Sequence, residues 1–138
     1  MEQLAVEIVG LCREYGECRV EVERMEEVRR VKNALESVCA MARQRLDISD
    51  PALLLALLDA CEVTRDEGML QEVLDVVGRN LDRLAVSAES VKLLAYCYYY
   101  VEEEECAERA RRMLEELRKM GRGEEELADA ETILEELT

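Results

Sequence analysis

Apolar residues recur every three or four positions along most of this chain, and no stretch alternates apolar and polar residues as a strand would. That period is the signature of an amphipathic α helix. Breaks in the pattern fall near Gly16, the "DISDP" stretch, Gly68, Ser87 and the "GRG" stretch. The pattern therefore predicts an all-α fold of about six or seven helices, and such short helices are stable only when they pack, here as antiparallel hairpins.

The segment before residue 49 is the part whose packing the pattern defines least. A first helix is predicted from Glu2 to Tyr15 and ends near Gly16. One long helix is predicted from roughly Val20 to Leu46, with a seam formed by Val28, Val31, Leu35, Val38 and Ala42. Two alternatives stay open for this seam. The segment either folds into a hairpin of its own chain, or stays straight and pairs with a second copy in a homodimer.

Two stretches farther along the chain echo each other. "SDPALLLALL" and "SAESVKLLAY" both place a serine before an apolar helix, and Ser49 and Ser87 lie 38 residues apart. Ser49 or Asp50 is predicted to cap the first of these helices, with Pro51 in its first turn. We expect one domain over residues 1–138, with N-terminal helices in 1–48, two hairpins in 49–120 and a capping helix in 121–138.

Four of the five tyrosines fall in "YCYYYVEEEE", residues 96–105. At about 100° per residue, a helix here places its side chains on two faces. A packing face contains Val91, Leu94, Ala95, Tyr98 and Val101. The opposite face contains Lys92, Tyr96, Tyr99 and Tyr100. In the alternative arrangement, these rings pack against the last helix or a neighbouring hairpin.

The stretch "LLAYCYYYVEEEECAERARRMLEEL" resembles a tetratricopeptide repeat, a 34-residue helical hairpin found in many interaction scaffolds. The matching positions are Leu94, Ala95, Tyr98, Ala107 and Leu114. The departures are Arg111 at an aromatic position, Glu102 at the turn glycine and a missing closing proline. The resemblance implies an array of hairpins whose first helices line a groove for a peptide or partner protein. It also implies that Lys92, Tyr96, Tyr99 and Tyr100 form the groove wall, in a protein that is not an enzyme.

A second constellation points to a different function. Glu104, Glu105 and Glu108 form E-E-x-x-E, and Glu126 with Asp129 forms E-x-x-D. This order resembles the Mg²⁺-binding motif of the all-α, MazG-like nucleoside-triphosphate pyrophosphohydrolases. Carboxylate oxygens are the ligands that Mg²⁺ prefers, and three- and four-residue spacings place them on one helix face. In a chain so rich in glutamate, however, one E-E-x-x-E is expected by chance.

Charge and composition narrow the functional classes. The net charge is −15, which disfavours nucleic acid and anionic membranes as ligands and leaves basic peptides, cations or another copy of the chain as alternatives. The chain has no histidine, which excludes catalytic triads and histidine-based metal motifs. The N-terminal "MEQLAVEIVG" lacks the basic start of a signal peptide, so a cytoplasmic location is expected. The excess of Arg over Lys and the abundance of Glu are typical of thermophilic archaea.

The six cysteines form no C-x-x-C pair, so their spacing gives little support for a zinc site. Three cross-hairpin pairs are conceivable, because the members of each pair lie about equally far from a predicted turn. These pairs are Cys12 with Cys18, Cys39 with Cys61, and Cys97 with Cys106. In the alternative interpretation, all six are buried free thiols of a reducing compartment.

Overall fold

The computed structural model describes residues 2–18, 25–121 and 124–137, except for the side chains of residues 2, 124–126 and 137. These residues contain seven α helices and one short 3-10 helix, with no strand among them. The α helices are α1 (Glu2–Cys18), α2 (Met25–Arg43), α3 (Pro51–Thr64), α4 (Glu67–Arg79), α5 (Ala88–Val101), α6 (Glu104–Lys119) and α7 (Glu124–Leu137). The predicted all-α fold with six or seven helices is confirmed.

The chain divides into two compact units, Met1–Asp75 and Val76–Thr138, with the boundary inside α4. We call them the N-terminal unit and the C-terminal unit. In the N-terminal unit, α1 packs on both α2 and α3. In the C-terminal unit, α5 packs on both α6 and α7. The third pair of each unit, α2 with α3 and α6 with α7, makes smaller contacts, so α1 and α5 are the helices around which the units pack.

Helix α3 is apolar on most of its sides, and it is correspondingly buried on most of them. The side chain of Asp50 caps its start by accepting a hydrogen bond from the backbone N–H of Leu53 at 3.2 Å. Pro51 occupies the first turn, as predicted. The helix ends at Arg65, which has a left-handed backbone (φ 59°) and donates its N–H to the carbonyl of Cys61 at 2.7 Å.

Most of the seam of the second helix is buried within this chain. Val31, Leu35 and Ala42 are buried in the N-terminal unit, where α2 packs on α1, and Val28 and Val38 are half-buried. The structure thus shows α2 packed against its own chain, and pairing with a second copy stays a prediction. The helix ends at Arg43, before the predicted Leu46, and residues 20–24 of the predicted range lie outside the described residues.

Gly16 does not end the first helix as predicted, because α1 continues to Cys18. A glycine in a helix interior costs only about 1 kcal/mol relative to alanine. Cys12 and Cys18 are both buried, so packing continues on either side of Gly16. The burial of this apolar face outweighs the weak local preference of glycine.

In the C-terminal unit, the start and end of α5 are both defined by local hydrogen bonds. Ser87 caps the start, as predicted, with its Oγ accepting from the N–H of Ser90 at 3.1 Å. The helix ends at Glu102, a left-handed residue (φ 52°) whose N–H donates to the carbonyl of Tyr98 at 2.7 Å. An ion pair between Arg118 of α6 and Glu131 of α7 joins the other two helices of the unit.

The helix boundaries repeat with a spacing of 37 residues. Pro51 and Ala88 begin α3 and α5, Glu67 and Glu104 begin α4 and α6, and the left-handed residues are Arg65 and Glu102. Burial repeats in the same register over six positions, pairing 53 with 90, 54 with 91, 56 with 93, 57 with 94, 58 with 95 and 60 with 97. The predicted echo is therefore present in these helices, but its spacing is 37 rather than 38 residues.

The one-residue difference in this spacing comes from the capping residue. Asp50, and not Ser49, stands where the second stretch has Ser87. Ser49 is exposed and donates its hydroxyl to the carboxylate of Asp47 at 2.8 Å. The serine of "SDPALLLALL" thus lies one residue before the cap.

The apolar positions of α4 continue in the sequence to Leu81 and Leu84, beyond the end of the helix. It ends at Arg79, and the 3-10 helix Leu81–Arg83 carries the chain to the buried Leu84. The side chain of Asn80 donates to the carbonyl of Val76 at 2.7 Å and helps to end the helix. None of the helices in the described part of the chain is both long enough and apolar enough to cross a bilayer.

Candidate protein-interaction face

One side of α5 is turned into the core of the C-terminal unit. Its buried residues are Ala88, Ser90, Val91, Leu93, Leu94, Ala95 and Cys97. Since α6 and α7 both pack on this helix, the buried arc covers well over half of its circumference. Only a narrow strip of α5 is left for contact with anything else.

That strip holds the four residues that the sequence singled out. Tyr99 is 56% exposed, and Lys92, Tyr96 and Tyr100 are each half-buried. We call these four residues the tyrosine face. The structure places them together on the least buried side of α5. The alternative, in which neighbouring helices cover the rings, does not hold for Tyr99, because that ring is exposed. It holds in part for Tyr96 and Tyr100, which are half-buried.

The rings at the C-terminal end of the tyrosine face contact each other. The ring centroids of Tyr99 and Tyr100 lie 5.1 Å apart, with an angle of 73° between the ring planes. This edge-to-face geometry is the favoured arrangement of two aromatic rings. It limits the freedom of the exposed Tyr99 ring, which lowers the entropy that a partner would have to remove on binding.

Two residues predicted for the packing face are not buried. Val101 is 40% exposed, and Tyr98 is half-buried with its hydroxyl donating to Oε1 of Glu104 at 3.4 Å. Both lie in the last turn of α5, directly before the left-handed residue Glu102, where the chain reverses into α6. The prediction that Val101 belongs to the packing face was therefore wrong. This residue is the last of α5, and the buried residues of the helix end before it.

One further residue shares the outer strip of α5. Glu89 is exposed and lies three residues before Lys92, hence on the same side of the helix. The sequence analysis did not single it out. The signal for Glu89 in the sequence is its i,i+3 spacing to Lys92, which places both residues on one side of a helix.

The surroundings of the tyrosine face are acidic at one end. Glu102, Glu103, Glu104 and Glu105 follow α5 directly, and all four are exposed. The carboxyl end of a helix also carries the negative end of its dipole. Tyr99 and Tyr100 therefore stand next to a concentration of negative charge, whereas Lys92 lies about two turns farther back.

The carboxylates of the alternative magnesium site are spread along exposed surface. Glu104, Glu105, Glu108 and Asp129 are all exposed, and Glu108 lies 4.0 Å from the guanidinium of Arg112. Within residues 2–18, 25–121 and 124–137, no group of three or more acidic or cysteine side chains has a geometry that could hold a metal ion. The side chain of Glu126 lies outside the described residues, so the five-residue set as a whole stays a hypothesis.

All six cysteines are buried and none forms a disulfide. Burial is the main reason that the thiol pKa of Cys12, Cys61 and Cys97 is raised to about 12, and that of Cys39 to about 11. A thiol with so high a pKa is a poor nucleophile and a poor metal ligand at neutral pH. The thiols thus act as small apolar side chains, and the three conceivable disulfide pairs are not formed.

The N-terminal unit contains a cleft that the sequence did not predict. It encloses about 150 Å³ beside Cys39, Arg43 and Asp66. Arg43 of α2 donates two hydrogen bonds to Glu72 of α4, and its guanidinium also lies 3.7 Å from Asp66. Because two carboxylates already engage the cation, this cleft gives little attraction to an anionic ligand.

Comparison with known proteins gives no relative from which a function could be transferred. The chain matches no protein-family model, no curated protein and no solved structure with which it was compared. The functional argument therefore depends on the residues of this chain alone.

Proposed function

We propose that this chain is a non-enzymatic, cytoplasmic interaction module that binds a peptide or partner protein through the tyrosine face of α5. The observation that supports this proposal is that exposed Tyr99 and half-buried Lys92, Tyr96 and Tyr100 share one strip of the mostly buried α5. A tyrosine ring contributes large contact area at low entropic cost, and its hydroxyl remains able to form hydrogen bonds.

The 37-residue spacing of the helices lends a second argument. Helical-hairpin repeats have periods in this range and commonly serve as binding scaffolds. Helix α7 begins 36 residues after α5 and buries Leu127, Ala130 and Leu134. These positions correspond to the buried Ser90, Leu93 and Cys97, as expected if α7 is a terminal capping helix. The tetratricopeptide-like classification remains part of the proposal.

The test compares partner capture by the wild-type chain and by a Tyr96→Ala, Tyr99→Ala, Tyr100→Ala variant. We expect the variant to lose the bound partner, because it removes the aromatic contact surface. Tyr98→Phe, which keeps the ring and removes only the hydroxyl bonded to Glu104, is the matched control and should retain the partner. Circular dichroism and thermal unfolding verify that each variant is folded.

Half-buried Tyr96 and Tyr100 also contribute to packing, so the single change Tyr99→Ala is measured alongside the triple variant. Tyr99 is the most exposed ring of the face, and its removal should weaken binding while leaving the melting temperature nearly unchanged. If both variants are folded and capture the same partner as the wild type, the proposal is overturned.

A further inference from the structure

The outer strip of α5 carries one negative and one positive charge, Glu89 and Lys92, in its N-terminal half and is followed by carboxylates alone at its C-terminal end. Lys92 lies toward the N-terminal end, and Glu102 and Glu103 follow the C-terminal end. At about 1.5 Å per residue, Lys92 and Glu102 are roughly 15 Å apart along the helix. The aromatic rings of Tyr99 and Tyr100 therefore lie at the negative end of the strip.

The register of the tyrosine face on α7 is partly acidic. The positions on α7 that correspond to Lys92 and Tyr99 are Asp129 and Glu136, both exposed and in the same unit as α5. The positions that correspond to Tyr96 and Tyr100 are the apolar residues Ile133 and Leu137. Helix α7 thus places two carboxylates in the register of the face.

This charge pattern discriminates between classes of peptide. An acidic segment would meet the carboxylates of Glu102, Glu103 and Glu136, and would gain only Lys92 as a counter-charge. A neutral apolar segment would contact the rings but would carry no charge that the surrounding carboxylates could attract. A basic segment would use both, since an arginine or lysine stacks favourably on a tyrosine ring and is attracted by the nearby carboxylates.

We infer that the occupant of the tyrosine face is a basic peptide segment whose arginine or lysine side chain stacks on Tyr99 beside Glu102 and Glu103. This inference depends on the proposed function, since it names the chemistry of the partner at the same face. Helix α5 is about 21 Å long, so an extended peptide lying along it makes contact over about six or seven residues.

The first experiment selects peptides from a random display library, with inserts of about ten residues, on the full-length wild-type chain and on Tyr99→Ala. Peptides enriched on the wild type but not on the variant define the face. We expect these peptides to be rich in arginine and lysine. If they are neutral or acidic, the inference about charge is overturned while the proposed function stands. If no peptide distinguishes wild type from variant, both are overturned.

The second experiment measures one selected arginine peptide against the same peptide with citrulline in place of arginine. Citrulline keeps the shape of the side chain and removes its charge. We expect binding to the wild type to weaken about 5- to 30-fold on this change, as for the loss of one partly desolvated cation–π contact. On Tyr99→Ala this ratio should fall to about 2- to 5-fold, the part that the nearby carboxylates contribute. An unchanged ratio on the variant contradicts stacking on Tyr99.

Two matched charge variants separate local attraction from the general effect of a net charge of −15. Asp129→Asn with Glu136→Gln removes two exposed charges from the register of the face on α7. Glu115→Gln with Glu116→Gln removes two exposed charges from α6. We expect the arginine peptide to bind about 2- to 5-fold more weakly to the first variant only. Equal weakening in both would mean that the attraction is nonspecific, and would overturn the inference.

Discussion

Arg43 of α2 donates two hydrogen bonds to the carboxylate of Glu72 on α4, with Nε 2.8 Å from Oε2 and Nη2 2.6 Å from Oε1. The two residues are 29 positions apart in the sequence. Such a two-point contact fixes the relative orientation of the two side chains as well as attracting their charges. It joins parts of the N-terminal unit that no short-range sequence pattern relates.

The change Glu72→Gln should lower the free energy of unfolding by about 0.5 kcal/mol. This value is discounted for solvent screening, because the side chains of Arg43 and Glu72 are 35% and 44% exposed. Urea unfolding of both proteins measures the difference. Glu108→Gln is the control, since its partner Arg112 lies 4.0 Å away and both side chains are more exposed.

The pH dependence of the same pair follows from the direction of its pKa shift. The hydrogen bonds from Arg43 lower the pKa of Glu72 below its ordinary value of 4.5. The stability due to the charged pair is therefore fully present above pH 4.5 and is lost as the pH falls through the lowered pKa of the folded state. The difference in the free energy of unfolding between wild type and Glu72→Gln should therefore shrink as the pH falls through that range. A difference that stays constant down to strongly acidic pH would contradict the ion pair.

A second prediction concerns the start of α3. Asp50→Ala should destabilise the protein by about 1 kcal/mol, because the carboxylate accepts from the N–H of Leu53. Ser49→Ala should have little effect, since its hydroxyl bonds only the exposed side chain of Asp47. Thermal unfolding of the two variants distinguishes the residues. Equal destabilisation by both changes would mean that Ser49 shares the capping role.

A third prediction concerns the buried thiols. An aromatic disulfide reagent should count six thiols in the denatured, unreduced protein and should react slowly with the native protein, because every cysteine is buried. Fewer than six thiols after denaturation would show that disulfides form. The same reaction with the native protein gives the number of thiols that the reagent can reach.

Stability should also fall in alkaline solution. The thiol pKa of Cys12, Cys61 and Cys97 is raised to about 12 by burial, from an ordinary value of 9.0. Between pH 9 and 12 the unfolded chain therefore loses these protons while the folded chain keeps them, which favours unfolding. Cys97→Ala should flatten this fall relative to the wild type, although it also lowers the stability at neutral pH.

The elements that sequence patterns predicted well are those with strong local signals. The bounds of α3 were predicted because Pro51 follows a capping residue and an apolar run continues to Thr64. The cap of α5 at Ser87 was predicted for the same kind of reason. The composition of the tyrosine face followed from helical periodicity alone, and its four members do lie on one strip of α5.

Other features depend on contacts that periodicity does not contain. Val101 is exposed because of where α5 ends relative to its neighbours. Helical periodicity alone does not predict that end. The pairing of Arg43 with Glu72 is set by the packing of the helices that bear them. The division into two compact units inside α4 was likewise not visible, because the apolar stripe of α4 runs without a break across Asp75.

The left-handed residues Arg65 and Glu102 reverse the chain with main-chain atoms, through N–H groups that bond the carbonyls of Cys61 and Tyr98. Glycine is the residue that this backbone shape tolerates best, yet a long charged side chain stands at both reversals. Main-chain hydrogen bonds form each corner, and a side chain of either charge is compatible with it. A substitution that changes the charge at either corner can therefore change which ligands the neighbouring surface attracts, while the path of the main chain stays the same.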